Sequence, residues 1–318
     1  AKPYIPPYLA AEEFFQAHCS NLKVLNNKTY WYNKPLYEEV SKLELKNKFI
    51  NFLGERLRGI QVEDITDSYV KSALMCFIAL SSNQSITVSL SKMLSEDQSG
   101  ATYIPVGNGV IIIYKEDQEY QTTLSGYSSE FFTTNHIKTN YNPTRIAKRF
   151  RKLLTEVAPV KEQRDFLQEF IGYSLTRDTT HNIMAYIYGP GANGKSVFLS
   201  AMMATFGLDC YSSLSLSDLQ GKEKYTLSQI QSKFLNLCDE IPEDKKISTD
   251  RIKNITSGGK ITTRNIYEAP QSFSVTTKLL FCSNSLPRFT DKSDAIYRRM
   301  CVVNFPNQFL DPSKQDKR

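Results

Sequence analysis

Hydrophobic and polar positions follow two different rhythms along this chain. After a proline-rich, extended lead-in over residues 1–9, the segments AEEFFQAHCSNLKVLNN (11–27), SKLELKNKFINFLGERLRG (41–59) and TDSYVKSALMCFIALSSN (66–83) carry apolar residues at helical intervals. Between the first two, TYWYNKPLYEEV gathers four aromatic residues around a turn at Pro35. From Tyr103 the rhythm changes. YIPVGNGVIIIYKEDQEYQT reads as a pair of short β segments broken at Asn108-Gly109, with KEDQE as the next turn.

Turn residues in HIKTNYNPTR make Tyr141–Pro143 the predicted seam between two domains, a mainly helical α+β domain over 1–143 and a second domain over 144–318. The second opens with TRIAKRFRKLLTEV, where Arg145, Lys148, Arg149 and Lys152 share one helical face and Ile146, Phe150, Leu153 and Leu154 can turn inward. That basic face is either solvated or a contact for nucleic acid or another subunit. A further helix, KEQRDFLQEFIGYSL, leads to three short apolar runs, IMAYIY, FLNLCDE and KLLFCSN, each ending in polar residues and separated by helical segments. This pattern predicts an α/β fold with a central parallel sheet and a site at the strand ends.

At 318 residues, 41% hydrophobic and 23% charged, the chain has material for two ordinary cores, and no run approaches the ~18 apolar residues of a membrane span. With no signal peptide either, the expected setting is intracellular, a bacterial cytoplasm or an infected host cell, with no membrane partner and no secretion. His18, His136 and His181 and the six cysteines never fall into metal-ligand spacing, which argues against structural zinc. Cysteines within runs such as LNLC and KLLFC read as small buried hydrophobes in a reducing compartment. The net charge of +6 permits a polyanionic partner, although solubility alone also accounts for it.

Between IMAYIY and VFLSAMMATF stands GPGANGKS, which satisfies G-x-x-x-x-G-K-[ST] between a strand and a helix. Gly189, Gly191, Asn193 and Gly194 would bend the backbone around the phosphates of ATP, Lys195 would reach the β- and γ-phosphates, and Ser196 would hold magnesium. SKFLNLCDEIPED supplies the acids such a loop needs, with Asp239 on the magnesium side and Glu240 polarising the attacking water. Glu243 and Asp244 lie past Pro242 and read as surface loop. Asn284, at the end of the third apolar run, can sense the γ-phosphate. Arg298 and Arg299 could neutralise charge developing in a neighbouring subunit's site. Two strand-like segments after Arg251 meet at a turn near Asn265 to Pro270, and that projection offers Lys260, Arg264 and Tyr267 to a nucleic acid.

The set GPGANGKS, FLNLCDE, IKNITSGGKITTR, KLLFCSNSLPRF and DAIYRRMCVVNF resembles, in order and spacing, the superfamily 3 helicases of viruses, phages and mobile elements, above all the branch fused to primases in poxviruses and satellite phages. The resemblance covers roughly Gly107 to Gln308. It implies an AAA+ type motor, assembled as a ring, as a rule hexameric, that hydrolyses ATP between subunits and moves 3′ to 5′ on single-stranded or forked DNA alongside replication partners. It assigns Lys195 and Ser196 to Walker A, Asp239 and Glu240 to Walker B, Asn284 to the sensor, and Lys253 to the third motif. Arg264 and Tyr267 fall on the DNA-gripping hairpin, and Arg299 is closer to the finger position than Arg298. In one departure, Lys260 stands where many relatives carry an acid after paired glycines. The start AKPYI and the polar ending fit a piece of a longer protein, with any priming module outside it. Two other classes fit parts of the sequence. A P-loop ATPase for DNA packaging or protein remodelling would keep the loop and acids without the hairpin, and a scaffold module binding nucleic acid would rest on the N-terminal domain and the basic helix.

Overall fold

The computed structural model describes residues 5–25, 28–56, 66–83, 100–220, 225–239, 248–263, 270–290 and 294–310. The chain forms two compact units, one of residues 1–101 and 125–135, the other of residues 102–124 and 136–318. These do not follow a single cut at residue 143, because the hairpin region packs with the later half.

The first unit holds helix α1 (Pro7–His18), strands β1 (Leu22–Leu25), β2 (Lys28–Asn33) and β3 (Leu36–Val40), and helices α2 (Lys42–Arg56) and α3 (Asp67–Asn83). Two expectations are corrected here. The helix begins at Pro7 rather than after the lead-in, since proline is at home in a first helical turn. It also stops at His18, and LKVL becomes a strand paired antiparallel with β2, Leu22 opposite Trp31. The aromatic segment forms the β2–β3 hairpin around Pro35. Helix α2 starts with a capping box, in which Ser41 Oγ accepts from Glu44 N (3.2 Å) and the Glu44 carboxylate accepts from Ser41 N (2.8 Å). Leu45, Phe49 and Leu53 recur every four residues on its buried face. The Phe14 ring meets Phe49, Phe52 and Phe77 edge-on at 5.1, 5.3 and 5.4 Å, and Ala10, Ala11 and Ala73 are small enough to let α1 and α3 close around it.

The second unit begins with β4 (Thr102–Val106), β5 (Gly109–Glu116) and β6 (Glu119–Ser125), a three-stranded sheet that turns at Gly107-Asn108, one residue before the expected break because Gly109 already pairs with Val106, and again at Asp117-Gln118. Helices α4 (Lys148–Val157) and α5 (Lys161–Ser174) follow, then β7 (Met184–Tyr188), α6 (Lys195–Phe206), β8 (Tyr211–Ser212), α7 (Leu216–Gln220), β9 (Leu235–Asp239), α8 (Asp250–Thr256), β10 (Lys260–Thr263), β11 (Gln271–Ser274), β12 (Lys278–Ser283), α9 (Asp294–Tyr297) and β13 (Met300–Asn304). Five of these strands form one sheet in the order β13-β7-β12-β9-β8, parallel throughout. The unit is a mixed α/β fold.

Successive side chains of these strands enter different cores, so both sheet faces are apolar and each strand reads as a continuous hydrophobic run. Ala185, Ile187, Leu280 and Cys282 join Leu154, Val157, Leu167, Phe170, Phe198 and Phe206 from α4, α5 and α6, with Ile104, Val106 and Ile111 from the hairpin sheet. Met184, Tyr186, Leu279 and Phe281 face Leu216, Leu219, Ile252 and Ile255 from α7 and α8. Asn236, wholly buried in β9, is satisfied by Ser212 Oγ (2.8 Å), Leu214 N (2.8 Å) and Leu214 O (2.9 Å), which holds the edge strand β8 in place. Helix α4 starts at Lys148, so Arg145 precedes it, and Ile146 is 57% exposed instead of turned inward.

The first residue of β12 buries a charge. Lys278, 4% exposed, donates to Thr276 O (2.8 Å) and Thr176 O (3.3 Å) and stands 4.5 Å over the Tyr173 ring. Burial pulls its pKa down to about 7, against the pull of Asp178 and with the push of Arg177.

Candidate nucleotide site

Three adjacent parallel strands, β7, β12 and β9, end at one edge of the sheet. The register sets Tyr188 beside Ser283 and Asp239 beside Cys282, so Gly189, Asn284 and Asp239 leave the sheet together. Gly189 and Asn284 stand about a hundred residues apart along the chain, yet each of the three lies at or just past the end of an apolar run.

The loop 189–194 is shaped by backbone that few residues tolerate. Gly194 has φ +84° and a Cβ there would lie 2.6 Å from Val157 Cγ1; a Cβ at Gly189 would run into Phe305 O and the Asn193 amide. Asn193, 2% exposed, donates through Nδ2 to Phe305 O (2.9 Å), and Phe305 N donates to Tyr188 O (2.8 Å). The loop is therefore tied to the end of β13. Gly191 lies in the exposed arch between these anchors.

Lys195, at the start of α6 and 6% exposed, points back into the loop. Its ammonium has four acceptors in reach: Gly189 O (2.8 Å), Pro190 O (3.3 Å), Asn193 Oδ1 (3.0 Å) and Asn284 Oδ1 (3.0 Å). Burial lowers its pKa, while Cys282 and Asp239 oppose that shift. Next to it Ser196 Oγ donates to Asp239 Oδ2 at 2.7 Å. Lys195, Asn193 and Asn284 thus form one hydrogen-bonded group, with the Ser196–Asp239 pair beside it. Glu240 lies outside the described residues.

Two groups that sequence reasoning missed hold Asn284. Tyr186 in β7, wholly buried, donates its hydroxyl to Ser285 O (2.9 Å) and stands 2.7 Å from Ser283 Oγ, which in turn accepts from Ser285 N (3.2 Å). Residues on both sides of Asn284 are fastened to the neighbouring strand. The sequence signal is faint: a tyrosine in a strand of aliphatic residues needs a partner for its hydroxyl.

The two arginines differ. Arg299 is held within the chain, Nη1 donating to Ala295 O (2.7 Å) and Nη2 to Ser257 Oγ (3.3 Å), and its pKa is lowered by burial and by Arg298. Arg298 is exposed. Lys253 is half-buried on α8, and Lys260 is exposed at the base of the antiparallel β10–β11 hairpin, where it pairs with Ser274. Arg264 and Tyr267 lie outside the described residues. All six cysteines are thiols; Cys210, Cys238 and Cys282 are buried, and burial pushes the Cys210 thiol up to about 12, which removes it as a nucleophile at neutral pH.

Residues 187–299 match a family of unknown function, DUF5906. The chain is 27% identical over 177 residues to the putative helicase L207/L206 of Acanthamoeba polyphaga mimivirus, an alignment covering 54% of this chain and 18% of that protein. It is 25% identical over 186 residues to primase D5 of fowlpox virus (55% and 23%), and 23% identical over 190 residues to the putative primase C962R of African swine fever virus (56% and 19%). The alignments span about a fifth of the length of these relatives. In fold, the chain is similar to the apo C-terminal region of NrS-1, with TM-score 0.56 at 10% identity, covering 98% of this chain and 64% of that one. The chain is accordingly similar to viral helicase and primase proteins, the relationship that the order of its motifs from Gly189 to Asn304 implies.

Proposed function

We propose that this chain is the ATP-hydrolysing motor of a replicative DNA helicase of the superfamily 3, AAA+ type, and part of a larger primase-helicase protein at an intracellular replication site. The observation that supports this most is the meeting of Lys195, Ser196, Asp239 and Asn284 at the ends of three adjacent parallel strands. ATP would lie along the loop Gly189–Gly194. Lys195 would exchange its carbonyl acceptors for β- and γ-phosphate oxygens.

Ser196 and Asp239 offer a hydroxyl and a carboxylate oxygen 2.7 Å apart, hard oxygen donors of the kind magnesium takes. Magnesium, when bound there, supplies positive charge to the phosphate oxygens. Glu240 takes the attacking water's proton, and Asn284, fixed from both sides, orients that water. The exposed Arg298 is the better placed of the pair to reach a neighbouring subunit, because Arg299 is already bound within its own chain. That assigns the ring, hexameric in this reading, a catalytic reason to exist. Lys253, Lys260, Arg264 and Tyr267 would engage single-stranded DNA, with translocation 3′ to 5′.

The test is ATP hydrolysis with and without single-stranded DNA, comparing the parent with Lys195→Ala and Tyr267→Ala. DNA-stimulated turnover is expected, lost at least ~100-fold in Lys195→Ala, with basal turnover kept but stimulation lost in Tyr267→Ala. Turnover indifferent to DNA and to Tyr267 would keep the ATPase and discard the translocase.

A further inference from the structure

Helix α4 carries charge in a pattern that its own folding does not call for. Phe150, Leu153, Leu154 and Val157 turn toward the core, and Phe150 stacks on Phe198 of α6 with ring centroids 6.3 Å apart. At ~3.6 residues per turn, Lys148, Arg149, Arg151 and Lys152 occupy the opposite half of the helix, and all four are exposed, as is Arg145 just before it. Among the described residues the one ion pair on this helix joins Lys152 to Glu156 at 3.7 Å. Lys148, Arg149 and Arg151 fill the first turn, which holds no acid, and the last turn holds no base.

That arrangement runs against the helix dipole, which favours acids at the start and bases at the end. Repulsion among the four cations adds to the disadvantage. A local rule broken in this way without a compensating contact in the chain points to an external partner. The partner must be an anion of many charges, extended enough to meet cations spread over two helical turns. Phe150, which falls among these cations in sequence, turns inward onto Phe198, so the outer face offers charge and bidentate guanidinium donors without a platform for bases. It fits a sugar-phosphate backbone.

We propose that the outer face of α4, with Arg145, Lys148, Arg149 and Arg151, is a nucleic-acid backbone contact distinct from the β10–β11 hairpin. This rests on the reading of the chain as a DNA motor. The inner face of the same helix touches the nucleotide loop, Val157 lying against Gly194, so the proposed track and the proposed ATP site share one helix.

The experiment is fluorescence anisotropy of a labelled single-stranded DNA against salt, for the parent, the quadruple variant Arg145→Gln, Lys148→Gln, Arg149→Gln, Arg151→Gln, and a variant with Arg149→Lys and Arg151→Lys. Each phosphate contact contributes about 0.7 to the slope of log affinity on log salt for single strands. The quadruple variant is expected to bind more weakly with a slope shallower by about 2 to 3, while the lysine variant keeps the parent slope. Thermal unfolding checks that both remain folded. An unchanged slope and affinity in a folded quadruple variant overturns the proposal and leaves the motor standing. Unchanged DNA binding with loss of self-association in sedimentation also overturns it, making the face a subunit contact. A parent that hydrolyses ATP but binds no single-stranded DNA at low salt overturns both this proposal and the translocase reading.

Discussion

Replacing Tyr186 by phenylalanine tests whether Asn284 is held as the structure implies. The substitution removes one oxygen from a wholly buried side chain and changes no packing volume. It deletes the bond to Ser285 O (2.9 Å) and the 2.7 Å contact with Ser283 Oγ. Losing a buried hydrogen bond costs about 1 kcal/mol net and up to ~3 kcal/mol when a partner is left unsatisfied. Here Ser283 Oγ also reaches Ser285 O, so that carbonyl keeps a donor and the lower figure applies. In a unit of this size that is a fall in melting temperature of about 2–4 °C. Ser283→Ala should cost a similar amount, and the double variant should lose less than the sum, with a coupling of at least ~0.5 kcal/mol, because the two hydroxyls share one acceptor. With Asn284 loosened, kcat for ATP should fall further than nucleotide affinity. Burial pushes the Tyr186 phenol up to about 12, so the effect should not vary with pH near neutrality. Thermal unfolding and steady-state hydrolysis read all of this. Strict additivity together with an unchanged kcat would refute the reasoning.

Lys278 predicts a pH dependence. Its folded pKa of about 7 lies below the unfolded value near 10.4, so between those values the unfolded chain binds more protons and stability rises with pH, by at most about 1.4 kcal/mol per unit. Lys278→Met should be more stable than the parent at pH 7 and should lose this rise; equal slopes in urea titrations at several pH values would refute it. Arg298→Ala should reduce ATP turnover with little effect on melting, whereas Arg299→Ala should lower the melting temperature by removing its bonds to Ala295 and Ser257; the opposite split would return the finger role to Arg299. Gly194→Ala should cost more than the ~1–2 kcal/mol of left-handed backbone alone, because its Cβ also meets Val157, and should weaken nucleotide binding in isothermal titration.

The strands of the second unit were legible because burial on both faces leaves continuous apolar runs, and the residues that leave those runs at one edge, Gly189, Asp239 and Asn284, are the candidate site. Lys195 and Ser196 stood out by spacing, since only a tight turn into a helix needs that glycine pattern. What stayed hidden depends on partners far along the chain. LKVL satisfies a helical and a strand pattern equally, and only β2 decides between them. The hydroxyl of Tyr186 finds Ser283 across the sheet, and Lys278 reads as a surface residue until the Tyr173 ring and two carbonyls enclose it. The hairpin Thr102–Ser125 sits between helices of one unit and the motif of the other in sequence, and its membership is settled by where Ile104, Val106 and Ile111 are buried.

The strand order carries a consequence for synthesis of the chain. Strand β7 lies between β12 and β13, and both emerge from a ribosome after the glycine loop that β7 supports. Until they do, β7 has no ladder to join, and Asn193 has no Phe305 carbonyl to hold. Assembly of this site must therefore wait for contacts that are distant in sequence, the slow kind to form. A truncated product that stops before Phe305 would contain every residue of GPGANGKS and still lack the carbonyl that anchors Asn193, so under the proposed reading ATP binding would separate chains that reach Phe305 from those that stop short of it.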